Sequence, residues 1–418
     1  MTSARITLIK SCLRGAEALG AIADRAFESP RTREGALERP PRRVLWWSMD
    51  RIGDVARATP ALRLLRESLP GAEITACVAG RSAPVLAHSP RIDRRVVVQN
   101  PAHLGDHLAA LRTLGREPFD LAIIGTAYLP WRCFGEWFMR RLGVARWAAL
   151  DFDESPMRSR GHAVPLDQAA SWIDQFINLS AGAISLAPVR QPGADRASIR
   201  LEVFVTPADH ELADSFLADE GITPGAAFML LAPGGNFLTV SRQWPIEAYA
   251  QLATMIDEAW SCPIIATGVE SERGQVERLM LTSRARVHNA CGRLNLRGLI
   301  GLLDRARVCV MNDSGPYHLA SGLGKPCVVV LGPTAPSVVG VGETAVAARA
   351  DLPCSPCAHL HGWQACTNPN RWECLEAVTP AEVFRLVRDR AAAAGLGQGG
   401  PVTDAYDRRV PLTTGAHG

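Results

Sequence analysis

One stretch, Val308 to Gly332, reading VCVMNDSGPYHLASGLGKPCVVVLG, limits the possible folds more than any other. Val308–Met311 is a short apolar run of the kind a buried parallel strand needs. Asn312-Asp313-Ser314-Gly315-Pro316 then turns into a helix, with Pro316 at an early helical position that can spare its N–H. Pro326 to Leu331 reads as a second buried strand. Strand, helix and strand in so few residues make a tight βαβ unit. The polar turn therefore lies at the carboxyl end of a strand and the amino end of a helix. Unpaired N–H groups and the positive end of the helix dipole both point there, which suits an anionic ligand such as the diphosphate of a nucleotide-activated donor.

Strand and helix signals alternate along the rest of the chain in two series. In the first, Val44–Ser48 is a strand ending in Met49-Asp50-Arg51-Ile52-Gly53-Asp54, and a helical pattern runs on to Leu69. Gly53 permits a tight turn and the close approach of a ligand. Asp54 falls at the helix start, and from the residues alone the favoured reading is a helix N-cap. Pro60 predicts a kink or an early break. Strands are expected at Glu73–Val78, Arg95–Val98 and Leu121–Ile124, and helices at His103–Gly115, Trp131–Leu142 and Asp167–Ser180. The second series opens with a strand at Phe228–Ala232 and the turn Pro233-Gly234-Gly235-Asn236. Ser241-Arg242-Gln243-Trp244-Pro245 leads into a helix reaching Ala259. A strand at Pro263–Thr267 and helices at Glu272–Ser283 and Leu296–Ala306 follow, and then the βαβ unit above. Thr379–Ala394 is the last helix, with Thr379 and Glu382 as a capping box.

A chain of 418 residues is too long for one ordinary core. Two doubly wound α/β domains are expected, at residues 43–190 and 201–394, joined by a linker at 191–200. Residues 1–42 form an N-terminal extension and 395–418 a Gly-rich, disordered tail. In doubly wound domains ligands bind beyond the carboxyl ends of the strands. The Gly53-Asp54, Gly234-Gly235 and Asp313–Gly315 turns all occupy such ends. The net charge of +3 gives no sign of a nucleic-acid partner. With no bilayer-spanning run and no signal-peptide core, the expected location is the cytoplasm, with reduced thiols. Cys77, Cys262, Cys309 and Cys327 sit in apolar runs and read as small core residues. Ile6, Ile9 and Leu13 fall at helical spacing beside Arg5, Lys10 and Arg14. That pattern fits a basic helix resting on an anionic membrane surface, peripheral on its inner face, although a helix packed on the domain or a loose extension is the plainer reading.

Three patterns need weighing against accident. Asp151-Phe152-Asp153 has the spacing of a metal-binding carboxylate pair but is expected in a loop without a clear strand before it, and it is set aside. Gly395 to Gly400 formally matches G-x-G-x-x-G, without a strand, and is discarded. Cys354, Cys357, Cys366 and Cys374 lie close together, with His359 and His361 between, and Cys354-Ser355-Pro356-Cys357 has knuckle spacing. A structural zinc and a loop of metal-free thiols are equally open, and four thiolates would leave no position for catalysis.

Taken together, the sequence resembles glycosyltransferase family nine, the ADP-heptose lipopolysaccharide heptosyltransferases and their relatives. The resemblance rests on Asp50-Arg51-Ile52-Gly53-Asp54-Val55 with Thr59-Pro60-Ala61-Leu62, and on Ala232-Pro233-Gly234 with Arg242-Gln243-Trp244-Pro245. It rests further on Asn312 to Ala320 and on the Cys354–Cys357 pair, and it spans Val44 to Arg388. Each motif is weak alone; their order and spacing are specific. The fold implied is GT-B, two Rossmann-like domains facing across a cleft.

The resemblance implies an inverting transfer of a heptose or related sugar from a nucleotide-diphosphate donor to a lipid-linked saccharide, with no cofactor required. It places the catalytic carboxylate on Asp54, displacing the N-cap reading, with Asp50, Arg51 and Gly53 in the acceptor-side turn. As general base, Asp54 must be ionised, which the dipole of its helix favours. The donor side falls on Gly234, Arg242, Asp313, Ser314, Gly315 and His318. Arg242 stands where Lys is usual, turning a point contact into a planar fork. Ser314 replaces the commoner Thr and Tyr317 a frequent Met. Ser48-Met49 stand where many members have a basic residue, so contacts to an anionic acceptor differ here. Other readings of the same chain are a sugar-nucleotide epimerase of similar form and a non-catalytic nucleotide-sugar-binding protein.

Overall fold

The apolar runs become strands buried on both faces, and they pair in parallel throughout the described part of the chain. The structure is a computed structural model. It describes residues 37–115, 118–151, 161–167, 170–189, 200–223, 225–235, 242–357 and 366–396. The chain divides into two compact units, Met1–Phe204 and Val205–Gly418. The basic N-terminal pattern at Ile6–Leu13 and nearly all of the expected linker lie outside the described residues. No described helix is long and apolar enough to cross a membrane.

The first unit runs β1 (Arg43–Ser48), α1 (Ile52–Arg57), α2 (Thr59–Ser68), β2 (Glu73–Ala79), β3 (Arg94–Val98), α3 (Leu104–Leu114), β4 (Leu121–Ile124), α4 (Leu129–Arg141), β5 (Trp147–Asp151), β6 (His162–Pro165) and α5 (Trp172–Ser185). Its six-stranded sheet has the order β3-β2-β1-β4-β5-β6, which is the Rossmann order. Successive side chains of β1 point to opposite faces, and both faces are filled. Trp47 lies 5.8 Å from Phe138 of α4, and Trp46 lies 6.3 Å from Phe176 of α5 (ring centroids). Pro60 does break the helix. α1 ends at Arg57, and α2 restarts at Thr59 with Pro60 in its first turn.

The second unit runs α6 (Pro207–Asp219), β7 (Met229–Ala232), α7 (Ile246–Trp260), β8 (Ile264–Ala266), α8 (Arg273–Thr282), β9 (Val287–Asn289), α9 (Leu296–Arg305), β10 (Val308–Asn312), α10 (Gly315–Gly322), β11 (Cys327–Val330), α11 (Pro336–Val339), β12 (Ala345–Ala348), α12 (Glu373–Glu376) and α13 (Pro380–Ala393). The order β12-β11-β10-β7-β8-β9 repeats the first sheet, with β7 in the place of β1 and β10 in the place of β4. Each sheet thus reverses direction once, between β1 and β4 and between β7 and β10. Those two reversals are where a doubly wound sheet opens a crevice for ligand.

The strands not anticipated are β5, β6, β9 and β12. Three of them, β6, β9 and β12, are outer strands and β5 lies next to one, and β6 ends in Pro165, which an edge tolerates. Asp151 is the last residue of β5, so the expectation that no strand precedes the Asp151-Phe152-Asp153 triplet was incorrect. Asp153 lies outside the described residues. Helix α6 was also missed, although Thr206-Pro207 and Asp209 form a capping box at its start.

Candidate active site

The carboxyl ends of β1 and β4 lie side by side, because these strands are direct neighbours. The turn after β1 carries Asp50, whose side chain is buried. Its carboxylate accepts from the Thr126 hydroxyl at 2.5 Å and from the Ala127 N–H at 2.8 Å, both in the turn after β4. Burial, and then the Asp54 charge, push the Asp50 pKa up to about 7 against the pull of these hydrogen bonds and of Arg57.

Asp54 is not the N-cap of α1; Arg51 takes that place, without a side-chain cap bond, and Asp54 sits in the first turn. Its carboxylate is 4% exposed and is ion-paired to Arg57, one turn on. The Tyr128 hydroxyl donates to its other oxygen, Oδ2, at 3.3 Å. Gly53 lies beside it in α1. Arg51 lies over the Tyr128 ring, 5.8 Å from the centroid.

β1 and β2 run in register with Ser48 opposite Val78, so Arg51 and Arg81 fall at matching places just beyond the two strands. The Ser82 hydroxyl donates to the Asp50 carbonyl at 3.1 Å and holds these turns together. Desolvation, and then the Arg51 charge, lower the Arg81 pKa, although its side chain still reaches solvent. This gathers two cations beside the Asp54 carboxylate.

In the second unit Asn312, at the end of β10, is the hub. Its Nδ2 donates to the Pro233 carbonyl at 2.8 Å and the Gly234 carbonyl at 3.1 Å. Its Oδ1 accepts from the Trp244 N–H at 3.2 Å and the Tyr249 hydroxyl at 3.1 Å. One buried amide, fully satisfied, thus ties the turn after β7 to the Arg242–Pro245 segment. Glu272 closes the same turn from the other side, accepting from the Gly235 N–H at 3.1 Å and the Val269 N–H at 2.9 Å. A Cβ on Gly234 would come within 2.4 Å of that carboxylate, so a larger residue here would have to displace Glu272 or the turn.

Arg242 Nη1 lies 3.1 Å from Asp313 Oδ2, and His318 Nε2 lies 4.0 Å from Asp313 Oδ1. Ser314 precedes α10, and its hydroxyl turns back to the Asn312 carbonyl at 3.2 Å. No side chain caps α10; Pro316 has no N–H and the Tyr317 N–H donates to the Ser314 carbonyl at 3.1 Å, so Gly315 supplies the N–H of the first turn at the strand end. The donor-side residues expected from sequence therefore come together within one unit, and the acceptor-side residues within the other.

Residues 204–364 match glycosyltransferase family 9 (heptosyltransferase). The chain is a family 9-like glycosyltransferase. It is 28% identical over 332 residues to lipopolysaccharide heptosyltransferase 1 of Pseudomonas aeruginosa, covering 75% of this chain and 86% of that protein. It is 24% identical over 301 residues to lipooligosaccharide heptosyltransferase 2 of Haemophilus influenzae, covering 68% and 82%. Among solved structures it superposes on Escherichia coli ADP-heptose lipopolysaccharide heptosyltransferase II with a TM-score of 0.66 and 18% identity, over 84% of this chain and 99% of that one. The fold of this glycosyltransferase is GT-B, with two Rossmann-like parallel sheets.

The glycosyltransferase also carries the cysteine cluster. Burial, and then the charges of Cys357, Cys366 and Cys354, push the Cys374 thiol up to about 11; burial, and then Cys366 and Cys354, raise Cys357. Cys354 and Cys366 are thus close enough to Cys357 and Cys374 to oppose the ionisation of those two thiols. Among the described residues no group of three His, Cys, Asp or Glu is arranged to hold a metal ion. His359 and His361 lie outside the described residues.

Sequence reasoning missed Glu272, Tyr128 and Arg81 as site residues. Glu272 had a readable signal, an acidic residue shortly after a buried strand and a glycine, as in dinucleotide-binding sheets. Tyr128 and Arg81 had none, because their places depend on which strands are neighbours.

Proposed function

We propose that this enzyme transfers a heptose from ADP-heptose to a lipopolysaccharide-core or other lipid-linked saccharide, with inversion at the transferred carbon. The observation that carries the reading is the buried Asp54 carboxylate, held by Arg57 and Tyr128 beyond the reversal of the first sheet. A general base needs that fixed orientation. The heptosyltransferase relatives support the sugar, and the ADP-heptose enzyme of the same fold supports the nucleotide.

Asp54 takes the proton of the acceptor hydroxyl as its oxygen attacks the anomeric carbon. The bond from that carbon to the diphosphate oxygen breaks, and the electron pair leaves on the nucleotide. A single displacement inverts the centre. Arg242 and the Gly315 N–H at the start of α10 receive the developing negative charge, a contribution to the transition state that ground-state binding alone would not supply. Asp313 aims Arg242, His318 braces Asp313, and Ser314 holds the turn. Glu272 stands where an acidic residue of a Rossmann-like sheet accepts from ribose hydroxyls. The lipid of the acceptor brings the enzyme to work at a membrane surface.

The test is ADP release from ADP-heptose with and without purified lipooligosaccharide lacking heptose, with the product anomer assigned by NMR. Acceptor-dependent release and an inverted product support the reading. Turnover without acceptor would favour an epimerase instead. Asp54→Asn should abolish transfer while ADP binding survives; a variant that kept most of its rate would overturn the base assignment.

A further inference from the structure

We propose that Tyr128 is a positioning residue for the Asp54 base, and that Asp50 is the buried anchor that holds Tyr128 in place. The inference rests on the reading of Asp54 as general base. Two turns meet here because β1 and β4 are neighbours. Asp54 comes from the helix after β1, and Tyr128 from the turn after β4. The Tyr128 hydroxyl donates to Asp54 Oδ2 at 3.3 Å, while Arg57 engages Oδ1.

A carboxylate held at one oxygen by a flexible arginine can still rotate about its own axis. A second donor on the other oxygen removes that rotation and leaves the remaining lone pairs with one direction in which to accept the acceptor's proton. Burial raises the Tyr128 pKa well above the usual tyrosine range, with the Asp54 charge adding to it, so the phenol stays a donor throughout the working pH range.

Asp50 fixes the turn that carries Tyr128. Each of its oxygens accepts one bond from that turn, from Thr126 and from Ala127, and the Tyr128 N–H donates to the Thr126 hydroxyl at 3.2 Å. The connection thus runs from Asp50 through Thr126 to Tyr128 and on to Asp54. The charged and titratable groups facing it are Asp54, Arg57, Arg51 and Arg81. Asp50 is buried and Tyr128 half-open, so only Tyr128 of the two can also meet substrate.

Tyr128→Phe removes one hydroxyl and keeps the ring over which Arg51 lies. The expected result is a kcat about tenfold lower with unchanged affinity for ADP, as loss of one orienting hydrogen bond implies. The loss should fall on kcat with the acceptor KM little changed, because the carboxylate is still present but less often aimed. Asp50→Asn leaves an amide N–H₂ or an amide oxygen where two acceptors are needed. It should lower kcat similarly, and its effect should largely vanish in the Tyr128→Phe background. A wild-type kcat in Tyr128→Phe would overturn the proposal, as would fully additive losses in the double variant. If Asp54→Asn kept its activity, the base reading itself would fail; if Asp54→Asn were inactive and Tyr128→Phe normal, only this inference would.

Discussion

Arg242 and Asp313 form an ion pair at 3.1 Å, so two of the residues expected to hold the donor hold each other. A carboxylate is a poor phosphate ligand, and Asp313 is nearly buried. Its physical effect is to fix a long cationic side chain in one orientation, sparing part of the rotamer entropy that phosphate binding would otherwise cost. Arg242→Ala should weaken ADP binding by about tenfold to a hundredfold, the loss of a charge-assisted contact. Asp313→Asn should weaken it less, and Arg242→Lys should fall between, since Lys lacks the fork. Isothermal titration with ADP ranks the three, and an unchanged affinity in Arg242→Ala would remove Arg242 from the donor site.

Asn312 makes four hydrogen bonds from a buried amide. Asn312→Leu keeps the branched skeleton but removes the shared partner of two carbonyls, the Trp244 N–H and the Tyr249 hydroxyl. Stability should fall by about 2–5 kcal/mol, the sum expected for several buried polar groups left unsatisfied. Denaturant melts followed by tryptophan fluorescence measure it, helped by Trp244, which lies against Tyr249 at 4.9 Å.

The sequence made much of this unit legible, and the reason is local. Strand β10, the Asn312–Pro316 turn and helix α10 are contiguous, so their chemistry can be read along the chain. The pairing of Arg242 with Asp313, and of Asp50 with Thr126, depends on strand order, which no local pattern states. Asp54 shows the same limit. Its place near a helix start was legible, but Arg51 proved to be the cap, and only the neighbouring turn explains how Asp54 is oriented. The outer strands β9 and β12 are too short for periodicity to reveal, and pairing alone defines them.

Asp50 gives stability a pH dependence whose sign follows from its raised pKa, about 7 when folded against 3.8 for an ordinary aspartate. Between those values the unfolded chain has released the proton and the folded chain retains it. Stability therefore falls as pH rises from about 4 to about 7 and is level above that. The melting midpoint of the first unit should drop by roughly several degrees across that window, and Asp50→Asn should flatten the slope. A slope unchanged in the variant would assign the titration to another group.

Arg51 and Arg81 bring two guanidinium groups to matching strand ends beside Asp54, and Ser48 and Met49 are buried beneath them. The cationic groups of the proposed acceptor side thus come from 51 and 81 rather than from 48 and 49. Arg81→Ala should raise the acceptor KM by about threefold to tenfold for an anionic saccharide, with kcat little changed, as expected for loss of one partly screened charge. The effect should shrink in high salt. Equal KM values for the two enzymes at low salt would show that Arg81 faces no part of the acceptor.

Gly234 tests how closely the turn after β7 is drawn against Glu272. An added methyl would meet the carboxyl carbon and both oxygens at 2.4 Å, closer than real Cβ contacts come. Glu272 cannot simply swing away, because the Gly235 and Val269 N–H groups hold it. Gly234→Ala should therefore push either the turn or Glu272 out of place, weakening ADP binding by about tenfold or more, as a displacement of roughly 1 Å in a binding group implies. Shortening the opposing side chain relieves the clash, so Gly234→Ala combined with Glu272→Ala should regain stability relative to Gly234→Ala alone. If Glu272 also binds the nucleotide, the double variant should regain stability without regaining ADP affinity. Recovery of both would make Glu272 a structural closure only, and recovery of neither would place the strain in the backbone of the turn itself.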